Sequence, residues 1–440
     1  HKLPRINGEL IEVPIGASKS GLLPDDCWLP GLGGYNKLTE QNQMAHARRC
    51  KELDIEYYWL DAGWFESSRS FGAGKWYDGV GNWFVKRDGF PDGLKTLSRA
   101  IKEMGLKFIL WFEPERVCPD TKLWREHPEW LLPQQNPPEE QNSLSTLVHN
   151  FMLTRNISEA RTSSLLNLGN IEARRWFTDH ISEMITEYRI DVYRHDFNMD
   201  PLSIWRYADA EDRQGITEIH YIEGLYAFWD ELLKRHPGLI IDNCASGGRR
   251  IDIETMSRSV TLWRSDYCRE PIGTQCHTYG LNSYMPGHAG GLEGNKASKY
   301  EFRGLLSGGA AICWDLEQEN FPDDDARMLI EEVKQLRSLF YGDFWPLTPY
   351  SLSKNCWMAW QFDRPDLGSG AVFAFRRSQG AKNTIKLFPK GIKQEGRYEV
   401  LFVDTDTKKT FAGKELMEKG LEVNEDDAPA SVLITYKLIN

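Results

Sequence analysis

The chain has 440 residues, 41% of them hydrophobic, enough to bury a large core and to build one barrel-sized domain with a smaller companion. A formal net charge of -11, with no sustained basic run, argues against a nucleic-acid surface. Mean hydropathy is -0.52 and no apolar run approaches the ~20 residues that cross a bilayer, so no transmembrane span is expected.

The chain opens on His1 without a charged-then-apolar leader, which reads as a processed chain, and residues 1–23 read as a lead-in segment. Eight cysteines show neither metal-site spacing nor the density of a disulfide scaffold, so the compartment stays open, a periplasmic or secreted setting being favoured over the cytoplasm. A first strand is expected at Pro24 to Leu29. From there a unit repeats: a helix with apolar residues at 3.6 spacing, a break, then a β-rich run ending in polar residues. Met44 to Leu53 reads as helix, Asp54 breaks it, and Ile55 to Leu60 runs as a strand into Asp61. Leu94, Leu97, Ile101 and Met104 form the next helical stripe, Gly105 stops it, and Lys107 to Phe112 delivers Glu113. Trp176, Phe177, Ile181, Met184, Ile185 and Tyr188 share one helix face, and Ile190 to Tyr193 leads to Arg194, His195 and Asp196. Leu225, Phe228, Leu232 and Leu233 mark a fourth helix, closed by Pro237-Gly238, and Leu239 to Ile241 extends to Asp242, Asn243 and Cys244. Further strands fit Thr261 to Arg264, Ser283 to Met285 and Ala310 to Trp314, making eight.

Helices alternating with short buried strands imply a parallel sheet. Polar residues follow nearly every strand rather than clustering at one switch point, which favours a (β/α)8 TIM barrel over a doubly wound sheet; the barrel is placed at 24–348. After about Tyr350 the texture becomes alternating strands with turn signals, at Trp357 to Phe362, Ala371 to Phe375, Tyr398 to Val403 and Ser431 to Tyr436, read as an antiparallel β-sandwich over 349–440 that packs directly on the barrel.

Two carboxylates at the ends of different strands are what glycoside hydrolysis requires, and Asp196 and Asp266 are the best-placed pair. A single strand-end aspartate more often caps the next helix, so composition alone does not distinguish them. The ordered motifs do. Gly105 to Glu115 with His127-Pro128-Glu129-Trp130, Arg161 with Asn167 to Glu172, Ile190 to Asn198, Cys244 to Gly248, Trp263-Arg264-Ser265-Asp266, Tyr341 to Phe344 and Trp357 to Phe375 together resemble the family-36 type of α-galactosidases of the melibiase clan.

The resemblance implies a retaining exo-α-glycosidase acting on terminal α-linked galactose or a modified galacto-configured sugar, with Asp196 as nucleophile and Asp266 as acid/base. Their carboxyl groups are then expected about 5 to 5.5 Å apart. It further implies that Asp61 meets sugar hydroxyls, that Trp111 walls the subsite, and that Arg161, Arg194, Cys244 and Gly247 line the rest. No cofactor and no metal are expected; the partner is a carbohydrate, and association into a homo-oligomer stays open. A transglycosylase of the same clan and a non-catalytic carbohydrate-binding protein are the alternatives, the latter expected to have lost one of the two acids. The family's large N-terminal β-domain has no counterpart in these 440 residues.

Three positions depart from the family pattern. Ala62 follows Asp61 where a second Asp is usual, Arg194 and His195 precede the nucleophile where Lys and an aromatic are usual, and Arg249 stands where a Gly is usual. They remove negative and add positive charge near the pocket, which raises the expectation of a sugar carrying a sulfate, carboxylate or anhydro bridge. His195 reads as a pocket wall or supporting donor rather than a metal ligand, because no partner ligand has recognisable spacing. Asp323-Asp324-Asp325 reads as a helix start rather than a calcium site. Trp28 and Trp64 read equally as sugar-site or barrel-rim residues. Asn156-Ile157-Ser158 fits the glycosylation triplet, a pattern short enough to arise by chance.

Overall fold

The computed structural model describes residues 3–18, 34–67, 76–133, 163–266, 270–294 and 296–439. The strand expected at Pro24 to Leu29, Trp28, the triplet at Asn156 and the site candidate Arg161 lie outside them.

Parallel strands form a closed barrel. In chain order they are Ile15–Ala17, Tyr57–Leu60, Lys107–Phe112, Val192–His195, Ile240–Asn243, Leu262–Trp263, His288–Ala289 continued by Gly291–Gly294, and Ala310–Trp314. The seventh is one strand bent at Gly290. Its first half pairs with Leu262–Trp263 and its second with Ala310–Trp314, and the ring closes through it.

Helix ends follow the sequence signals. Thr39 caps Glu40–Glu52 in a reciprocal capping box with Asn42, and the chain leaves that helix through Asp54 at φ 57. Asn170 accepts from the amides of Glu172 and Ala173 to start Ile171–Tyr188, a cap that contributes about 1 kcal/mol. Gly105, at φ 77, follows the helix Lys95–Glu103 and takes a left-handed conformation that favours glycine.

Two strands differ from expectation. Ile15–Ala17 falls in the segment read as lead-in, yet it is a barrel strand, parallel to both Tyr57–Leu60 and Ala310–Trp314. It is short and contains Gly16, where a Cβ would stand 3.0 Å from the Ile109 side chain; close packing, not apolar alternation, selects its residues. Ser283 to Met285 is a turn after helix Pro271–Leu281, because the amides of Tyr284 and Met285 bond back to the Leu281 carbonyl and prolong the helical exit.

The C-terminal domain is a six-stranded antiparallel sheet with a two-stranded partner, Thr384–Leu387 and Leu421–Asn424. Its edge strand Asp343–Pro346 starts ahead of the boundary expected at 349. Period-2 alternation along Trp357–Arg364 separates the two faces. Trp357 and Ala359 join the sandwich core, whereas Met358, Trp360 and Phe362 join the barrel's own core. Arg303, 1% exposed, fastens this junction by pairing with Glu332 of the barrel helix Asp323–Leu336 at 2.6 Å and with Asp404 of the sandwich at 2.8 Å.

Candidate active site

Alternation along the barrel strands decides which side chains enter the lumen. Trp59, Ile109, Val192, Ile240, Cys244, Trp263 and Ala311 form one interior cluster, while Tyr58, Leu60, Phe108, Leu110, Phe112 and Tyr193 pack outward with the helices. Arg194 and Asp196 share the phase of Val192 and so point inward. His195 has the opposite phase and points out.

Register then places Arg194 beside Trp111 on one side and Asp242 on the other. The guanidinium donates to Asp242 Oδ1 at 2.7 Å and lies against the rings of both Trp59 and Trp263, 4.4 and 4.6 Å from their centroids. Burial opposes its charge, but Asp242, Asp61 and Asp196 outweigh burial and keep it protonated. The strand-end aspartate Asp242 is thus the direct partner of Arg194, a role sequence reasoning did not assign.

Asp196 sits just beyond the fourth strand, its amide bonded to the Phe112 carbonyl at 2.8 Å. Its Oδ2 accepts from Trp111 Nε1 at 3.2 Å and Asn198 Nδ2 at 2.9 Å, and its Oδ1 from the amides of Phe197 at 2.7 Å and Ser246 at 3.3 Å. Burial pushes this carboxyl up, but Arg194, Asn198, the Cys244 thiol and the Phe197 amide prevail, and it ends below the usual carboxylate range. Asp266, after the sixth strand, is exposed and accepts from Trp263 Nε1 at 2.7 Å. Desolvation and then the Asp196 charge lift it above the usual range, against the pull of Trp263, Arg194 and Arg249. Asp61 is pushed up to about 6, by desolvation first and by the charges of Asp196 and Asp266, with Arg194 and the Ala62 amide opposing.

The turn after the fifth strand touches both acids. Ser246 donates its amide to Asp196. Gly247, at φ 85, lies so close to the sixth strand that a Cβ would stand 3.1 Å from the Asp266 amide nitrogen. Cys244 begins this turn, and burial drives its thiol far above the ordinary range, so it is a neutral hydrogen-bonding wall and not a nucleophile. Arg249, at the end of the turn, is exposed; it pairs with Asp200 and donates to Ser246 Oγ at 2.6 Å.

Among the predicted site residues, Asp61, Trp111, Arg194, Asp196, Cys244, Gly247 and Asp266 therefore converge on one end of the barrel, and Arg161 lies outside the described residues. Tyr35, Asn198, Asp242, Trp59 and Trp263 join them without having been assigned. Tyr35 is half-buried, and its phenol is raised by burial and by the charge of Asp61. The legible signals for the others were phase and register: Trp59 and Asp242 share lumen phase with Arg194. Trp64 donates its indole to the Trp111 carbonyl at 2.9 Å and is wholly buried, a packing residue behind the wall.

His195 lies under the helix Ile216–Arg235. Trp229 Nε1 donates to its Nδ1 at 2.8 Å, which leaves Nε2 to donate to Glu115 at 2.7 Å. Glu115 also accepts from Arg250 at 2.7 Å and Tyr221 at 2.6 Å. Burial lowers His195 to about 4, so the ring is neutral and supports the strand of Asp196 from behind. Asp323–Asp325 occupies the first turn of helix Asp323–Leu336, with Arg49 on Asp323 and Arg327 on Asp324, and no metal-holding cluster occurs among the described residues.

The sequence matches the melibiase family over residues 33–341 and the glycosyl hydrolase family 36 C-terminal domain over residues 357–435. Alpha-galactosidase AgaA of Geobacillus stearothermophilus is 27% identical over 406 residues, spanning 88% of this chain and 51% of that protein. Alpha-galactosidase 1 of Pediococcus pentosaceus is 25% identical over 390 residues, 84% of this chain and 48% of that protein. The chain thus spans about half the length of the curated relatives it matches. The crystal structure of AgaA superposes with a TM-score of 0.79 at 24% identity, over 99% of this chain and 57% of that one; a variant of the same enzyme, solved with stachyose, gives 0.80 at 23% over the same shares. At that identity these structures share the fold.

Proposed function

The chain belongs to the melibiase family of glycosyl hydrolases, and from that premise we propose that it is a retaining exo-α-glycosidase that releases terminal α-linked galactose. Asp196 is the nucleophile and Asp266 the acid/base. One observation carries this reading: the Asp196 carboxyl and the Asp266 backbone meet the same turn, 244–249, while their surroundings push the proton affinities of the two carboxyls apart, Asp196 down and Asp266 up. Such a split suits one group to attack and the other to hold a proton.

In the first half-reaction an Asp196 oxygen bonds to the anomeric carbon as the bond to the leaving oxygen breaks, and the proton on Asp266 passes to that oxygen. In the second, Asp266 takes a proton from water, the water oxygen bonds to the anomeric carbon, and the ester to Asp196 breaks. Trp111 and Asn198 hold Asp196 in line through Oδ2. Asp61 binds sugar hydroxyls, Cys244 and Gly247 wall the subsite, and Arg194 keeps the nucleophile ionised. AgaA, the relative solved with stachyose, is an α-galactosidase by name, which favours galactose as the terminal sugar.

A panel of aryl α-glycosides tests this, comparing wild type with Asp196→Ala and including galactose, N-acetylgalactosamine and anionic or anhydro galactose derivatives. The α-galactoside should be cleaved, and the variant should lose roughly 10^4-fold or more of that rate, the scale on which losing a nucleophile acts. Undiminished turnover in the variant would refute the assignment.

A further inference from the structure

Arg194 and Arg249 both stand near the acids, but their charges are disposed differently. Arg194 is 4% exposed, held against two indoles and committed to buried Asp242. Arg249 is 44% exposed, and its partner Asp200 is 85% exposed. A pair so open to water contributes at most about 1 kcal/mol, so a ligand anion can share or take the fork. Of these two arginines, Arg249 is therefore the one able to meet a group entering from outside.

Its place in the fold says which group. Arg249 ends the turn whose Ser246 amide bonds Asp196 and whose Gly247 backs onto the Asp266 amide, and its own guanidinium donates to Ser246 Oγ. The Arg249 charge also acts on the Asp266 carboxyl, which faces Asp196, Arg194 and the Trp263 indole as well. An acid that protonates the leaving oxygen must have the leaving group beside it, and Asp266 is exposed. A leaving group beside Asp266 then lies within the field of the Arg249 charge.

Resting on the α-galactoside reading above, we propose that Arg249 forms a leaving-group subsite that selects substrates whose second sugar carries an anion, a sulfate or a carboxylate, next to the scissile bond. The terminal sugar can then be neutral, and the added positive charge acts across the bond rather than on the galactose itself.

The probes are 4-nitrophenyl α-galactoside and its 3-carboxy-4-nitrophenyl analogue, cleaved by wild type, Arg249→Ala, Arg249→Lys and Asp200→Asn. The readout is the ratio of kcat/KM for the anionic over the neutral probe, compared between wild type and each variant, a comparison that cancels the intrinsic difference between the leaving groups. Arg249→Ala should lower that ratio about fivefold, the fold-change of one exposed ion pair. Arg249→Lys should keep part of it, and Asp200→Asn, which frees the guanidinium, should raise it. The wild-type ratio should fall with added salt. If both probes are cleaved but the ratio is the same in wild type, Arg249→Ala and Asp200→Asn, this inference is overturned and the α-galactoside reading stands. If wild type cleaves neither, both are overturned. Asp200 is at the surface, so its variant keeps the test intact should Arg249→Ala fail to fold.

Discussion

Asp61 shows what a carboxyl in this pocket costs the fold. Its affinity for the proton is raised to about 6 in the folded chain, against an ordinary value near 3.8. Below both values it is protonated whether folded or not, and it takes nothing from stability. As pH rises through 6 the unfolded chain has already shed the proton and the folded chain must hold a poorly solvated charge, so stability is lost by about 1 to 3 kcal/mol. Asp61→Asn should therefore melt higher than wild type at pH 7.5, with a smaller gain at pH 4.5, and should bind galactose poorly. An equal or lower melting temperature at pH 7.5 would show that the charge is not burdened. The neighbouring departures resolve at this scale too. Arg194 brings no loose charge, because Asp242 takes it up in the same barrel layer. His195, beside Asp196 in sequence, faces the opposite side of the strand, where Trp229 and Glu115 need a neutral imidazole.

The elements that carry the acids are short strands and the turns after them. Gly247 is constrained in two ways: φ 85 favours glycine, and a methyl group would meet the Asp266 amide at 3.1 Å and Ser265 Cα at 3.2 Å. Gly247→Ala should lose about 1 to 2 kcal/mol of stability and, because the strain falls on Asp266, lower kcat more than it raises KM. A KM effect alone would place Gly247 as a sugar contact and nothing more. Strands such as Lys107–Phe112 and Ala310–Trp314 were legible to the residue because each is itself an apolar run, with glycine ahead of it and an acidic residue directly after. Ile15–Ala17 was not, since an Ile-Gly-Ala strand carries too little side chain to show a period. The same limit applies to the site. Asp196, Asp266, Asp61, Trp111, Cys244 and Gly247 could be named from ordered motifs. Asp242 as the partner of Arg194 required register across strands distant in sequence, and Tyr35 enters from a short helix, Gly34–Lys37, with no motif to mark it.

Over the whole molecule, one face of the six-stranded sheet packs into the barrel's core while the other builds a core of its own, and a buried arginine spans the junction. Arg303→Met would leave Glu332 without its two-pronged partner and Asp404 without one of its cations, a loss of about 3 to 5 kcal/mol. Thermal unfolding should show a lower midpoint; an unchanged one would mean the apolar contacts, Phe340 on Phe362 among them, hold the junction alone. The barrel's closed ring is what brings strand ends four and six to one turn, and the catalytic proposal depends on that convergence. The most direct test is the anomeric form of the sugar first released from a neutral aryl α-galactoside, followed by NMR before the product mutarotates. Attack by Asp196 and then by water inverts the anomeric carbon twice, so the account predicts α-galactose as the first product; β-galactose would contradict it.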